Sequence, residues 1–205
     1  MTLFRIILAS LLMALIPLAS ASADPRSEAF VQENATKVLE ALGNPDLTAA
    51  ERSEKFNGFM EEFSNLDGIA RFVLGKYSRR FSPDELARYR EVYRAYSLIN
   101  YEAQFDDYRG SQINIVNSYD TKRDSIVNSN VRKEDGETLE VSWRVRERND
   151  RFQVIDVGLN LDGNLLWLAV EQRAQFLDLL DRNGGSADAL IAKLEELTEE
   201  LKTEG

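Results

Sequence analysis

The alternation of side chains in LEVSWRVRER, residues 139–148, constrains the fold more than any other feature of the chain. Large apolar residues occupy the odd positions from Leu139 to Val145, and polar or charged residues occupy the even positions from Glu140 to Arg146. Because successive side chains of a strand point to opposite faces, this pattern predicts a strand with one buried face and one face in water. A sheet that contains this strand must therefore be covered by other elements on one side.

The stretches on either side of this strand predict further strands. QINIVNSYD at 112–120 and SIVNSNVRK at 125–133 precede it, and RFQVIDVGL at 151–159 follows it. The connections contain the turn sequences EDGE and Asn149-Asp150, which favour hairpins between strands that are neighbours along the chain. We therefore predict an antiparallel sheet of about four strands.

Segments with helical periodicity come before and after the predicted strands. The sequence has no internal repeat and no domain linker. A curved sheet covered by helices, in a single α+β domain, is the predicted fold. The expected helix boundaries and caps are Asp24-Pro25 to Gly43, a capping box at Thr48 with Glu51, a start at an Asp67 cap, Ser82-Pro83 to about Phe105, Leu165 to Arg182, and Ser186 to about Lys202.

The N-terminus has the pattern of a secretory signal peptide. Arg5 is followed by an apolar run, Ile6 to Leu18, and then by Ala21-Ser22-Ala23. A basic start, a short apolar core and an A-x-A end predict cleavage before Asp24, so residues 1–23 are the expected signal peptide and 24–205 the expected single mature domain. An uncleaved anchor is the alternative, although the apolar run is short for a membrane span.

The composition excludes several classes of function. The chain of 205 residues has no cysteine and no histidine, and its formal net charge is −10. Cysteine nucleophiles and Cys/His zinc sites are therefore excluded, and the commonest general base is missing. The negative charge disfavours binding to nucleic acid. No phosphate-binding loop such as G-x-x-x-x-G-K-[ST] occurs, and we expect neither a cofactor nor a metal site.

The segment NLDGIARFVLGKYSRRFSP, residues 65–83, is unusually apolar for an acidic chain. If Leu66 to Leu74 form a helix, only Asp67 and Arg71 interrupt its apolar surface, and Tyr77 and Phe81 extend that surface. Such a helix must lie either against a protein core or against an apolar ligand.

Three segments together resemble one protein family. They are IARFVLGKYSRRFSPDE at 69–85, VSWRVRERNDRFQVIDV at 141–157 and EQRAQFLDLLDRNGGSADALIAKL at 171–194. Each is similar to a characteristic segment of the MlaC family, the periplasmic phospholipid-shuttle proteins once described as toluene-tolerance auxiliary components of an ABC transporter. The segments occur in the family's order, and the resemblance covers nearly all of residues 27–197.

The resemblance implies a fold, a function and a set of partners. The implied fold is related to nuclear transport factor 2 (NTF2-like), with an internal hydrophobic pocket for a phospholipid. The implied function is to shuttle lipid between an outer-membrane lipoprotein complex and an inner-membrane ABC transporter complex with a lipid-binding subunit, which maintains the lipid asymmetry of the outer membrane. Such a carrier is not an enzyme and needs no cofactor.

The candidate pocket residues are apolar and aromatic side chains on the predicted inner faces. Ordinary core packing requires the same buried surface and is the alternative for each of them. The candidates are Ile69, Phe72, Val73, Tyr77, Tyr93, Tyr101, Phe105, Trp143, Val145, Leu166 and Trp167.

Arginines beside these positions are candidates for binding a lipid headgroup or a partner protein. A solvated strand face is the alternative for the arginines of the predicted strand. The candidates are Arg79, Arg80, Arg144 and Arg146, with Arg148 on the same strand face.

Three other functions remain open from the sequence. One is a carrier of hopanoid or another apolar lipid, and a second is an envelope adaptor with a solid core that binds only protein. The third is a cavity enzyme that transfers a proton between a carboxylate and a tyrosine, with Asp107-Tyr108 or Tyr119 and Asp156 as the pairs. The missing histidine disfavours the enzyme, whereas a buried Asp156 with a raised pKa would favour it.

Overall fold

An antiparallel sheet forms the centre of the fold. The computed structural model describes residues 24–106, 108–133 and 135–204. Within these residues, five strands lie in the order β1 to β5, each hydrogen-bonded to the next along the chain. The strands are β1 Gln112–Asp120, β2 Ser125–Arg132, β3 Thr138–Arg148, β4 Arg151–Leu161 and β5 Asn164–Trp167.

Helices come before and after the sheet in the sequence, as predicted for an α+β fold. A short 3₁₀ helix, Gly75–Arg79, follows the third of them. The helices are α1 Pro25–Gly43, α2 Ala49–Phe63, α3 Leu66–Leu74, α4 Pro83–Asp106, α5 Leu168–Arg182 and α6 Ala187–Glu204.

The first two helices begin where the sequence predicts. The Asp24 carboxylate accepts a hydrogen bond from the backbone N–H of Arg26 at 2.9 Å and so caps α1. Thr48 and Glu51 form the predicted capping box of α2, in which each side chain binds the backbone N–H of the other residue. These local bonds satisfy backbone donors that have no partner within a helix.

The cap of α3 differs from the prediction. Asn65, not Asp67, caps this helix, because the Asn65 side chain accepts the Gly68 N–H at 2.8 Å. The backbone N–H of Asn65 is itself bonded to the carbonyl of Val154 on β4 at 3.0 Å. The sheet therefore holds Asn65 in the cap position, a long-range contact that the sequence pattern does not reveal.

The sheet has one more strand than predicted. Residues 165–167, predicted as the first turn of a helix, pair with β4, and α5 begins only at Leu168. Asp162 and Gly163 connect the two strands with φ values of 53° and 83°, as a tight hairpin turn requires. The Asp162-Gly163 pair is the sequence signal for this turn. Leu166 and Trp167 consequently lie on a strand and not on a helix.

Three hydrophobic clusters build the core among the residues that the structure describes. The first packs α1 on the sheet and includes Val31, Ala35, Leu39, Val127, Val141 and Trp143. The second joins α3 to α6 and includes Val73, Leu74, Tyr89, Tyr93, Leu180 and Leu194. The third joins α1 to α2, with the end of α4 packed against it, and includes Val38, Leu42, Phe56 and Phe63.

The apolar segment at 65–83 packs mainly on other helices. Ala70, Val73, Leu74 and Tyr77 are buried in the second cluster, between α3, α4, α5 and α6. Phe72 lies on the opposite side of α3 and remains 41% exposed. Most of the hydrophobic surface of this helix is therefore explained by protein core.

The predicted signal peptide, residues 1–23, and Asp107 lie outside the described residues. In the described part of the chain, no helix has both the length and the hydropathy needed to span a membrane.

Candidate functional site: an apolar cavity between sheet and helices

An apolar cavity lies where the three hydrophobic clusters meet. α1, α2, α3, the end of α4, the strands β1 to β4 and the start of α5 all contribute to its wall. The lining residues are Phe30, Val31, Asn34, Ala35, Val38, Leu39, Met60, Phe63, Ser64, Ile69, Tyr101, Phe105, Ile113, Val131, Trp143, Val154, Asp156, Val157, Leu168 and Ala169.

The cavity is narrow. The space open to the centre of a water-sized sphere is about 70 Å³, whereas all space between the lining atoms, including the opening to solvent, is about 880 Å³. The first measure is the one to compare with an engineered apolar cavity that binds benzene, which has about 150 Å³. The predicted internal pocket is therefore present, but an acyl chain can enter only if the walls move apart.

An irregularity in β4 shapes the cavity wall. Val145 pairs with Val154 and Arg144 pairs with Asp156, so Ile155 is an extra residue that forms a β-bulge. The bulge shifts the alternation of side chains by one position. For this reason both Val154 and Val157, three residues apart, line the cavity.

Asp156 is a buried carboxylate at the edge of the cavity. It is 3% exposed, and its Oδ1 accepts the backbone N–H of Val157 at 3.0 Å and of Ala169 at 2.9 Å. The Arg144 guanidinium lies 3.5 Å from its Oδ2. Burial raises the pKa of Asp156, and the hydrogen bond from Ala169 and the charge of Arg144 oppose this shift only in part. The carboxylate ties the start of α5 to β4.

Two aromatic side chains carry polar groups into the wall. Burial, reinforced by the negative charge of Asp156, raises the pKa of the Tyr101 hydroxyl to about 12. Trp143 donates its indole N–H to the hydroxyl of Ser129 at 2.8 Å. Tyr101 is therefore neutral at physiological pH, and the indole N–H of Trp143 is already bonded within the protein.

Four of the predicted pocket residues line the cavity, namely Ile69, Tyr101, Phe105 and Trp143. They reach it from α3, α4 and β3, which are distant in the sequence. The other seven lie elsewhere, and contact between any of the eleven residues and a lipid stays a prediction.

The remaining candidates have other surroundings. Val73, Tyr77 and Tyr93 are buried in the cluster of α3 to α6, and Val145 is buried between the sheet and α1. The hydroxyl of Tyr77 donates to Asp181 at 2.6 Å, and that of Tyr93 donates to Gln172 at 2.7 Å. Phe72 is exposed beside Arg173, whereas Leu166 and Trp167 lie on β5.

The contribution of α1 to the cavity wall was not predicted from the sequence. Val31, Asn34, Ala35 and Val38 form a stripe at helical spacing and face the cavity together. The sequence places a small residue and a polar residue, Ala35 and Asn34, within an otherwise apolar stripe. That pattern was the available signal, but the same stripe also describes ordinary core packing.

The predicted arginines separate into two groups. Arg79 and Arg80 lie at and just after the end of the 3₁₀ helix, where the Arg80 guanidinium lies 5.2 Å from the centre of the Tyr77 ring. Arg144 and Arg146 lie on the face of β3 that points away from α1. Neither Arg79 nor Arg80 lines the cavity.

The comparison with protein families identifies the chain. The model of the MlaC protein family matches residues 32–196. The chain belongs to the MlaC family. The match spans most of the sequence, so the family resemblance of the three segments is confirmed. No match was found among curated proteins.

A solved structure has the same fold as this MlaC-family chain. It is a phospholipid-binding protein from Ralstonia solanacearum in complex with a phospholipid. The two sequences are 20% identical, the TM-score is 0.70, and the match covers 85% of this chain and 97% of that chain. At this identity the similarity establishes the shared fold.

Proposed function

We propose that this chain is a periplasmic lipid carrier. It holds the acyl chains of a phospholipid in the apolar cavity and shuttles the lipid between the outer membrane and an inner-membrane ABC transporter complex. The observation that carries the proposal is an apolar cavity enclosed by sheet and helices in a chain of the MlaC family. The structural relative that contains a phospholipid adds support.

The energetics of lipid transfer explain why such a cavity is needed. Two acyl chains contain roughly 30 methylenes, and exposing them to water costs on the order of 24 kcal/mol at ~0.8 kcal/mol each. Transfer from a bilayer into an equally apolar cavity avoids this cost. The exchange can then run in either direction, so its direction must come from the partner complexes.

The walls of the cavity are built from contacts that can open. The Phe56 ring lies 6.2 Å from that of Phe105, and the Phe30 ring lies 5.8 Å from that of Phe152. Such apolar contacts hold the helices against one another and against the sheet. Because these ring contacts are not hydrogen bonds, they can separate without breaking the ladder of the sheet, and acyl chains can replace them. Hydrogen bonds from Gln32 to the carbonyl of Ile113 at 3.1 Å and from Asn65 to that of Val154 at 3.0 Å keep α1 and the start of α3 attached to the sheet.

The proposal is tested by identifying what the protein carries. We expect the protein, purified from the periplasm and extracted with organic solvent, to release about one phospholipid per chain in mass spectrometry. Absence of lipid, together with no uptake from phospholipid vesicles, would instead favour an adaptor that binds only protein. A hopanoid in the same spectrum would mean that the protein is a lipid carrier whose ligand is not a phospholipid.

One observation favours a second function, a proton-transfer enzyme. Asp156 is buried with a raised pKa, and Tyr101 faces the same cavity. The hydrogen bonds of Asp156 argue for a structural role, because its Oδ1 already accepts two backbone N–H groups and its Oδ2 faces Arg144. Tyr119 and Asp156, the pair suggested from the sequence, are too far apart to exchange a proton, because β1 and β4 lie about 14 Å apart at the usual strand spacing.

A further inference from the structure

A groove lined by five arginines adjoins the apolar cavity. Arg71 comes from α3, Arg90 from α4, and the other three from β3, and we call this the arginine groove. Measured in the same way as the cavity, it holds about 470 Å³. Its lining is Asn65, Asp67, Gly68, Ile69, Arg71, Phe72, Arg90, Arg144, Arg146, Arg148, Ile155 and Asp156.

The arginine groove and the apolar cavity share part of their walls. Ile69 and Asp156 line both of them. Phe72, 41% exposed, adds an apolar side chain to the wall of the groove. Ile69 and Asp156 therefore lie at the boundary between the groove and the cavity.

The charge of the groove is opposite to that of the chain. Five arginines face two carboxylates, Asp67 and Asp156, in the lining, and Asp124 pairs with Arg146 from outside it. The chain as a whole has a formal net charge of −10. A local excess of positive charge in a concave surface concentrates anions there.

Three of these arginines lack a partner within the described residues. Arg71, Arg90 and Arg148 form no ion pair or side-chain hydrogen bond there, whereas Arg144 and Arg146 each meet a carboxylate. Guanidinium groups gathered in this way repel one another. A bound anion would remove that repulsion, and the planar fork of arginine matches phosphate oxygens well.

The paired arginines are held in place before any ligand binds. The Arg144 guanidinium lies 4.2 Å from the centre of the Trp167 ring, and Arg146 donates to both oxygens of Asp124 at 2.6 and 3.1 Å. Fixed side chains lose little conformational entropy on binding. The groove therefore combines two oriented guanidinium groups with three that have no other partner.

We propose that the arginine groove binds the phosphate group of a lipid whose acyl chains occupy the apolar cavity. This inference rests on the proposed carrier function, and it assigns the headgroup end of the same ligand. The groove is a concave space lined by twelve residues, whereas a docking surface for a protein involves about 20–30 residues a side. Phosphate chemistry therefore fits the groove better than a protein surface does.

A competition between two lipids with the same chains tests the groove. Purified, delipidated protein is incubated with vesicles that contain dioleoyl phosphatidylglycerol and dioleoylglycerol in equal amounts, and the bound lipids are measured by mass spectrometry. In the variant Arg71→Gln/Arg90→Gln/Arg148→Gln, we expect the ratio of phosphatidylglycerol to diacylglycerol to fall about tenfold. An unchanged ratio would overturn the proposal.

The matched control is Arg88→Gln, which removes a positive charge from the same helix as Arg90 but outside the groove. In this control, the ratio of bound phosphatidylglycerol to diacylglycerol should equal that of the unmodified protein. A fall as large as that in the triple variant would mean that the preference depends on net charge and not on the groove. Circular dichroism reports whether the triple variant folds. If it does not, Arg148→Gln alone should lower the ratio about threefold, and no change in it would contradict the proposal.

A titration with inorganic phosphate separates the inference from the carrier function. Amide NMR shifts at Arg71, Arg90 and Arg148 that are lost in the triple variant would support an anion site even if the protein takes up neither lipid. In that case free phosphate is the ligand and the carrier function fails. Uptake of both lipids without preference, together with no phosphate-induced shifts, would contradict phosphate binding in the arginine groove. The proposed carrier function would still stand.

Discussion

Asp156 lies at the boundary between the cavity and the arginine groove. Its carboxylate lines both of them, accepts the backbone N–H of Ala169 at the start of α5, and faces Arg144. A buried charge with incomplete compensation is costly, which is why its pKa is raised. The sequence offered Asp156 only as a candidate acid or base, because its contacts with Ala169 on α5 and Arg144 on β3 join segments that are distant in the sequence.

The raised pKa predicts how stability depends on pH. Since the folded state favours protonated Asp156, the contribution of this group to the free energy of unfolding is largest at low pH and is lost as pH rises through the raised pKa. Substitution Asp156→Asn removes this titration. We expect the free energy of unfolding of the unmodified protein minus that of the variant to increase as pH falls from 7 to 4. Urea denaturation at each pH measures this difference. Asp181→Asn should show the opposite trend, because hydrogen bonds from Lys76 and Tyr77 lower the pKa of Asp181 and the contribution of this group is lost as pH falls.

At the scale of elements, backbone conformation decides where β4 ends and β5 begins. Asp162 and Gly163 both adopt positive φ, and this turn brings residues 164–167 back onto the sheet. The resulting hairpin places Trp167 under Arg144. A helix over these residues, as predicted from their apolar character, would have removed that contact.

Two glycines provide a matched test of this argument. A Cβ added at Gly163 or at Gly58 would meet no atom within 4 Å, so only the backbone distinguishes the two sites. Gly163 has a φ of 83°, whereas Gly58 lies inside α2. We expect Gly163→Ala to lower the free energy of unfolding by about 1–2 kcal/mol and Gly58→Ala to raise it by about 1 kcal/mol. Equal effects in thermal or urea denaturation would contradict the turn assignment.

At the scale of the whole molecule, the cavity exists because three hydrophobic clusters meet without filling the space between them. Interiors of proteins are normally close-packed, and a void forfeits contacts among its lining atoms. A void kept between α1 and the sheet is consistent with a site for an apolar ligand. With about 70 Å³ open to the centre of a water-sized sphere, the void has less free space than the engineered cavity of about 150 Å³ that binds benzene.

Filling the cavity should separate ligand binding from folding. Ala35 lies on α1 in the cavity wall and is 8% exposed. Substitution Ala35→Phe should strongly reduce the phospholipid recovered per chain, because the new ring occupies space needed by acyl chains. Overpacking should lower the free energy of unfolding by no more than about 1–3 kcal/mol.

Ala87→Phe, at an exposed position of α4, is the control and should leave the recovered lipid unchanged. Phospholipid content that stays the same in a folded Ala35→Phe protein would show that the acyl chains lie elsewhere.

Local patterns in the sequence determined much of the fold. The capping box at Thr48 and Glu51, the alternation along β3 and the Asn149-Asp150 turn all depend on neighbouring residues, so the sequence predicted them correctly. The family was readable for a related reason, because its characteristic segments are continuous in the sequence. Even the missed hairpin had a local signal at Asp162 and Gly163.

The tertiary structure alone decided which apolar residues face the cavity. Ile69 and Val73 lie on the same short helix and in the same hydrophobic cluster, yet Ile69 also lines the cavity and Val73 does not. Periodicity identifies a buried face but not the element that covers it. The bulge at Ile155 and the convergence of Arg71 and Arg90 with β3 also depend on contacts between distant segments. Such contacts arise only when the chain folds, since no local sequence rule specifies them.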